Sequence, residues 1–367
     1  AALASNVKKN CFYSRVRGYK SAREMCLSED NIPCDVYDNL IKAVDESLPS
    51  LQKYLALRQR ALGLSELHMY DLYTPIVACE TRKYTYEEAC ELVLESVAPL
   101  GDTYVKDMTR ALSSGWVDVY ENRGKTSGAY SWGSNGAHPF VLLNFEGTLD
   151  DVFTLAHEMG HAMHSFYTNC EQPSVYKQYK IFVAEVASTV NENLLMAHLL
   201  EITKDTKTRM YLQNHRLEGF RTTVFRQTMF AEFERDIHAQ YESGVALTAE
   251  KLCDIYYKLN EKYFAENVTV DREIAYEWAR IPHFYSDFYV YQYATGYSAA
   301  VTLADGILND KKAAQRYIQF LSSGDSAYPI ELLKRAGVDL TEPTAVAHAL
   351  AHFSAAVEEL TKYIQNS

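Results

Sequence analysis

The stretch from Thr148 to Ser165 constrains the fold most, because it predicts one helix with an apolar flank and two histidines. Thr148 and the acidic residue three places later stand at capping-box spacing, which marks the start of a helix. His157 and His161 project from the same helical face, with Glu158 beside them. Two buried imidazoles require a metal ion or hydrogen-bonding partners nearby.

The His-Glu-x-x-His spacing is typical of a catalytic zinc site, in which the histidines bind the metal. The alternative is a chance match on an exposed helix with both histidines solvated. The apolar flank disfavours that alternative, as does Gly160, whose missing side chain lets another backbone or a ligand approach closely. Catalytic zinc normally takes three protein ligands, so a third must come from elsewhere in the chain.

Glu185 is the predicted third ligand, because it stands among small apolar residues where an unpaired carboxylate would be costly. The stretch between His161 and Glu185 is long enough for one helix to end and a second to return antiparallel. A buried salt bridge is the alternative for Glu185. Glu192, two turns further along, is either a hydrogen-bond acceptor for a ligand histidine or a solvated glutamate. We expect His164 to be structural or to lie just outside the ligands.

With a metal bound, Glu158 would accept a proton from the attacking water and pass it to the leaving amine. The negative charge that develops on the carbonyl oxygen also needs hydrogen-bond donors. The segment from Arg280 to Tyr297 offers His283 and five tyrosines as donors. Aromatic packing in the core explains some of these tyrosines, but it explains His283 less easily.

Composition excludes several other classes of protein. The 367 residues could form one large domain or two, and 47% hydrophobic residues are ordinary for a soluble globular protein. The sequence contains no apolar run long enough to cross a membrane. A net charge of -12 argues against nucleic-acid binding. Seven scattered cysteines without a C-x-x-C pair favour reduced thiols and a cytoplasmic location.

Most of the chain shows apolar residues at helical spacing, and one short region alternates like a sheet. The predicted helical stretches are 21–62, punctuated by Pro33 and Pro49, then 85–100, 175–202, 205–241 and 248–264. The predicted strands are 116–120 and 139–145. The stretch 130–136 between them is either the flexible rim of a peptide-binding groove or a hairpin with an Asn-Gly turn. The sequence therefore predicts a mainly α protein with one small sheet.

Several motifs together resemble the oligoendopeptidase F branch of the thimet-oligopeptidase-like metallopeptidases. They are the histidine helix, Ala184–Ser188, the segment His283–Gly296, Gly128–Trp132 and Leu67–Asp71. The resemblance runs from about Ser21 to the C-terminus. It implies a multi-helix, zincin-like catalytic domain whose small β-sheet lies beside the active-site helix. This domain would form part of a channel or clamshell that admits short unfolded peptides.

The resemblance also implies roles for individual residues. His157, His161 and Glu185 would bind one Zn²⁺ per chain, and Glu158 would be the general base. His283 would contact substrate and stabilise the oxyanion together with Tyr291 or Tyr293. Tyr285 is a further candidate for the same role.

The resemblance gives the chain one catalytic region with four parts. They are a helical scaffold (1–114), a small sheet (115–147), the zinc-site helices (148–202) and a helical substrate-binding part (203–367). The branch usually carries a further helical N-terminal region. That region is missing from this sequence, so we expect a C-terminal catalytic fragment.

The expected function is zinc-dependent hydrolysis of internal peptide bonds in short oligopeptides, with neither nucleic acid nor membrane as a partner. A zinc carboxypeptidase of related fold and a non-catalytic, metal-stabilised peptide-binding module are the alternatives. A di-iron carboxylate protein is disfavoured, because it needs a second Glu-x-x-His motif and none of the other histidines has a glutamate three residues before it.

Overall fold

The computed structural model describes residues 1–77 and 82–365, which form mainly α-helices and one small sheet, as predicted. The α-helices in chain order are α1 (Ala2–Val16), α2 (Ala22–Ser28), α3 (Cys34–Leu62), α4 (Tyr86–Ser96), α5 (Asp102–Ser113), α6 (Leu149–Glu171), α7 (Ile181–Ile202), α8 (Thr206–Gly219), α9 (Arg226–Glu242), α10 (Ala249–Phe264), α11 (Tyr291–Asn309), α12 (Lys311–Leu321), α13 (Pro329–Ala336) and α14 (Thr344–Gln365). Short 3-10 helices lie at Met69–Tyr73, Ala98–Leu100, Ser174–Tyr176, Arg272–Arg280 and Pro282–Tyr285.

Threonine caps fix the starts of three helices. The side chains of Thr85, Thr148 and Thr248 each accept a hydrogen bond from the backbone N–H three residues later, at the starts of α4, α6 and α10. At Thr85 and Thr148 the third residue also reaches back to the backbone N–H of the cap, which completes a capping box. The capping box predicted at α6 is therefore confirmed, and α4 begins with a second one.

Two helical predictions were wrong in detail. The stretch 175–202 is not one helix, because a 3-10 turn precedes α7 and the chain leaves helical geometry between them. There the ring of Tyr179 stacks on His164 with 3.7 Å between ring centroids, so a tertiary contact replaces the helical turn. Pro49 does not interrupt the predicted stretch 21–62 but lies inside α3, which packs along α14. Between α8 and α9 the chain continues through a π-helical turn, Phe220–Phe225.

The sheet has three short strands, β1 (Val117–Asp118), β2 (Tyr130–Trp132) and β3 (Phe140–Leu142), in the order β1-β3-β2. β1 runs parallel to β3, and β2 pairs antiparallel with β3. The stretch 130–136 thus enters a hairpin, whose connection passes through Gly136 at φ +84°. Both predicted strands exist in shorter form, and β2 and β3 pack on α6.

The described chain forms two compact units. Unit 1 comprises Ala1–Val77, Gln213–Thr295 and 341–365, and unit 2 comprises 82–212 and 296–340. Buried aromatic side chains of α3, α9 and α14 fill the interior of unit 1, whereas α6 and α7 form the centre of unit 2. The sheet, the histidine helix and Glu185 therefore all belong to unit 2.

Two further sequence features are visible in the described residues. No helix among them is long and apolar enough to cross a membrane. Six cysteines in these ranges are free thiols, and Cys79 lies outside the described residues.

Candidate metal centre and active site

The centre of unit 2 brings the two motif histidines together with Glu185. His157 and His161 lie one turn apart on α6, with 4.9 Å between ring centroids. The Nε2 atoms of both rings lie 3.4 Å from the same carboxylate oxygen, Oε2 of Glu185 on α7. Two imidazole nitrogens and one carboxylate oxygen thus converge on one point.

Close packing of α6 against α7 makes this convergence possible. A Cβ atom at Gly160 would lie 2.6 Å from both the carbonyl oxygen of Ala187 and the Cα of Ser188, so only glycine permits this approach. One turn further along α7, the Asn191 amide donates a 3.1 Å hydrogen bond to the Ala156 carbonyl oxygen. The glycine predicted to allow a close approach therefore admits the backbone of a second helix.

Polar groups outside the three converging atoms hold two of them in place. The Nδ1 atom of His157 lies 2.5 Å from Oε1 of Glu192, and Ser188 donates a 3.0 Å hydrogen bond to Oε2 of Glu185. Of the two alternatives for Glu192, the structure has the hydrogen bond to a histidine, His157. Contacts of this kind orient metal-binding imidazoles and raise their basicity.

The arrangement fits a divalent cation of the zinc type. The ligand atoms of His157, His161 and Glu185 all lie within 4.8 Å of one another. Nitrogen and oxygen donors in this number are those of catalytic zinc sites that keep a position for water. Glu158 and Glu192 add two more carboxylates, so the site carries net negative charge when the imidazoles are neutral.

The pKa values of His157 and Glu185 show that the cluster favours a positive charge within it. Burial opposes protonation of His157, but the hydrogen bond to Glu192 and the nearby carboxylates raise its pKa to about 9. Burial alone would raise the pKa of Glu185, but hydrogen bonding and charge from His161, with a contribution from His157, lower it to about 2. The same electrostatic field would attract a divalent cation.

Glu158 has the surroundings of a proton acceptor. Its side chain is buried, and its Oε2 atom has no hydrogen-bond partner among the described residues. Burial raises the pKa of Glu158, while the neighbouring His157 and His161 partly oppose the shift. This buried carboxylate oxygen next to His157 and His161 needs a hydrogen-bond partner that the described residues do not supply.

His164 lies outside the cluster, as expected from the sequence. Its buried ring is stacked on Tyr179 and lies 5.4 Å from the ring of Phe320. Burial lowers the pKa of His164 to about 3, which keeps the ring neutral. His164 therefore belongs to the aromatic packing of unit 2.

The histidine and tyrosine segment lies in unit 1 as far as Thr295. The exposed His283 belongs to the 3-10 helix Pro282–Tyr285, and its Nε2 atom lies 3.3 Å from the Tyr293 hydroxyl. Tyr285 is 48% exposed, whereas Tyr291 is only 2% exposed and packs on Tyr37 with 5.0 Å between ring centroids.

The structure separates tyrosines that the sequence could not rank. Tyr289, which sequence reasoning did not single out, stacks parallel to His283 and lies edge-on to Tyr293. Tyr289 lies two residues before the start of α11. The sequence could not distinguish it, because the segment contains five tyrosines.

A mainly helical protein that carries His-Glu-x-x-His on one helix and a carboxylate ligand on the next is typical of metallopeptidases. The chain belongs to peptidase family M3, whose family model matches residues 1–352. The family predicted from the sequence motifs is therefore confirmed.

The chain is similar to longer bacterial peptidases. It is 52% identical over 363 residues to oligopeptidase PepF of Bacillus subtilis (strain 168), covering 99% of this chain and 54% of that protein. Group B oligopeptidase PepB of Streptococcus agalactiae serotype III (strain NEM316) is 46% identical over 366 residues, covering 99% of this chain and 60% of that protein. The crystal structure of oligoendopeptidase-F from Enterococcus faecium has a TM-score of 0.82 at 41% identity, covering 100% of this chain and 59% of that one. The chain thus spans little more than half the length of these proteins.

Proposed function

We propose that this chain is the catalytic part of a zinc metalloendopeptidase that hydrolyses internal bonds of short, unfolded oligopeptides. The observation that carries the proposal is the common 3.4 Å distance from the Nε2 atoms of His157 and His161 to one oxygen of Glu185. The buried, unpartnered carboxylate oxygen of Glu158 beside them supports it. Membership of peptidase family M3 and the similarity to an oligopeptidase and an oligoendopeptidase support the same reaction class.

In this proposal His157, His161 and Glu185 hold one Zn²⁺ per chain. When bound, zinc would supply Lewis-acid chemistry that polarises a peptide carbonyl and lowers the pKa of water, so that the water gives up a proton readily as it attacks the carbonyl carbon. Glu192 fixes the tautomer and orientation of the His157 ring through Nδ1, and Ser188 restrains the Glu185 carboxylate. The ligands are thus oriented before substrate arrives.

Glu158 is the proposed general base. Its carboxylate accepts a proton from the attacking water and then delivers that proton to the amide nitrogen that leaves. Burial favours this role because it raises the pKa of the carboxyl group, so that the group both accepts and releases a proton readily. Among the described residues no lysine or arginine forms an ion pair with Glu158, and its Oε2 atom has no hydrogen-bond partner, so this oxygen stays available to water.

His283 and Tyr293 are the proposed oxyanion donors. His283 and Tyr293, whose polar atoms lie 3.3 Å apart, donate hydrogen bonds to the substrate carbonyl oxygen as it becomes negative. Tyr285 is exposed enough to contact the peptide. The 2% exposure of Tyr291 favours a packing role over the substrate contact that the family resemblance implied.

The test is a comparison of Glu158→Gln with the wild-type chain. We expect the variant to keep one zinc ion, because Glu158 is not a ligand, and to lose peptidase kcat by about 10²- to 10⁴-fold. Glu171→Gln is the matched control, since this glutamate is exposed at the end of the same helix. A Glu158→Gln variant with wild-type turnover would rule out the proposed base.

The substrate class is read from a mixed-length peptide library by mass spectrometry, with and without a chelator. Internal cleavage of peptides with amidated C-termini is the expected result, and it separates an endopeptidase from a carboxypeptidase. A chain that binds zinc yet leaves every peptide intact would instead be the non-catalytic peptide-binding module.

A further inference from the structure

A buried glutamate in unit 1 has no cation to balance it. Glu234 lies on α9, is 1% exposed and forms none of the ion pairs found among the described residues. Its Oε1 atom accepts a 2.7 Å hydrogen bond from the backbone N–H of Phe288, and its Oε2 atom is buried without a partner. Burial raises the pKa of Glu234 well above its ordinary value, which favours the neutral acid over the carboxylate.

The partner of Glu234 sits in a strained turn. Phe288 has φ +54°, in the left-handed region that side chains other than glycine rarely adopt. Its ring is buried against His238 and Tyr37, with centroid distances of 4.6 and 5.9 Å. Such a conformation persists only where the surroundings over-determine it, and the bond from Phe288 to Glu234 is one of these restraints.

The strained turn connects the two groups of the proposed oxyanion donor pair. His283 lies five residues before Phe288, and Tyr293 lies five residues after it. The neighbouring Asp287 is tied to α1, because Asn6 donates a 2.7 Å hydrogen bond to its carboxylate. The turn is therefore fixed from two helices, and Glu234 is the restraint from α9.

We propose that Glu234 is a positioning residue that holds the His283–Tyr293 segment in its reactive arrangement by accepting the Phe288 N–H. This proposal rests on the proposed function, because it presumes that His283 and Tyr293 contact substrate. Glu234 itself touches no substrate. A charged partner is not required, so a neutral acceptor of the same shape should serve equally well.

The experiment uses the full chain and a pair of matched substitutions. Glu234→Gln keeps a neutral oxygen acceptor, whereas Glu234→Met has similar length and no acceptor. Glu232→Gln is the control for general loss of stability, because Glu232 is equally buried on the same helix but is paired with Lys262 and Arg235.

The first readout is amide hydrogen exchange across 283–293, which does not depend on activity. We expect Phe288 exchange to rise by about tenfold or more in Glu234→Met and to stay near the wild-type rate in Glu234→Gln and Glu232→Gln. Unchanged protection in Glu234→Met would overturn the proposal. If Glu234→Met does not fold, the exchange rate of the Phe288 amide in the wild type is the test. Rapid exchange of this amide would exclude a restraint there.

The second readout separates positioning from simple stability. We expect kcat to fall by about 10²-fold in Glu234→Met with little change in KM, and Glu234→Gln to restore it. An equal loss of kcat in Glu232→Gln would overturn the proposal. A wild-type chain that cleaves no peptide would overturn the proposed function instead, while the exchange rates would still decide whether Glu234 holds the segment.

Discussion

A single buried imidazole, His238 on α9, makes the stability of unit 1 depend on pH. Its Nδ1 atom donates a 2.8 Å hydrogen bond to the Glu234 carbonyl oxygen, and its Nε2 atom lies 3.2 Å from the amide nitrogen of Asn10. A neutral ring satisfies both contacts, whereas a second ring proton would face the Asn10 amide. Burial lowers the pKa of His238 and outweighs the charges of Asp287 and Glu242, which act in the opposite direction.

The sign of the effect follows from where the proton binds. Below about pH 6.5 the unfolded chain protonates this histidine and the folded chain does not, so the free energy of unfolding falls by up to about 1.4 kcal/mol per pH unit. Urea unfolding is measured in the presence of a chelator near pH 7.5 and near pH 5.5. Between these pH values the free energy of unfolding of the wild type should fall by about 1 kcal/mol more than that of His238→Gln. Equal pH dependence of the two proteins would contradict the assignment.

Single residues were predictable from the sequence where their role depends on local spacing. His157, His161 and Glu185 follow from helical geometry and the cost of burying a lone carboxylate. Glu234 does not, because nothing nearby distinguishes it from Glu232. One of these glutamates meets cations and the other meets a backbone amide 54 residues later, and only the tertiary fold decides which.

Helix α6 depends on its glycine for the contact with α7. In Gly160→Ala the added Cβ would meet backbone atoms of Ala187 and Ser188 at 2.6 Å, and the backbone cannot rotate away as a side chain can. We expect a loss of about 1–3 kcal/mol in the free energy of unfolding. Because separation of α6 from α7 also separates Glu185 from both histidines, zinc affinity should fall by about tenfold or more.

A second helical glycine provides the control. At Gly306 in α11 a Cβ would lie 3.5 Å from Ala313, which is ordinary contact. Gly306→Ala should therefore be neutral or stabilise the chain by about 0.5–1 kcal/mol, with zinc affinity unchanged. Denaturant unfolding and competition with a zinc indicator measure both quantities. Equal behaviour of the two variants would show that the α6–α7 contact is not limiting.

Helices and strands were predictable from the sequence to the extent that local patterns determine them. Threonine caps marked the starts of α4, α6 and α10 because a capping hydrogen bond spans only three residues. The break before α7 was missed because it depends on Tyr179 stacking on a ring from another helix. The parallel pairing of β1 with β3 was likewise inaccessible, since alternation within a strand carries no information about its partner.

Across the whole chain, the two units differ in what they contribute to the proposed reaction. Unit 2 contains the proposed metal ligands and the proposed base, and unit 1 contains His283, Tyr293 and Glu234. Each unit is assembled from separated stretches of sequence, so neither could be delimited from composition or periodicity. Motif spacing was sufficient to predict the candidate metal site of unit 2, because its residues lie on two consecutive helices.

This distribution of residues predicts which helices lose amide protection when the metal is removed. Zinc that binds only the folded chain stabilises it by about 4 kcal/mol when its free concentration is a thousand times Kd. Because His157, His161 and Glu185 all lie in unit 2, a chelator should lower amide protection in α6 and α7 and leave α3 and α14 of unit 1 unchanged. Because Glu158→Gln keeps the three proposed ligands, a chelator should lower its amide protection as it does in the wild type. Glu185→Gln lacks one of these ligands, so a chelator should change its amide protection little. A uniform loss of protection across both units would mean instead that the metal stabilises the chain as one cooperative unit.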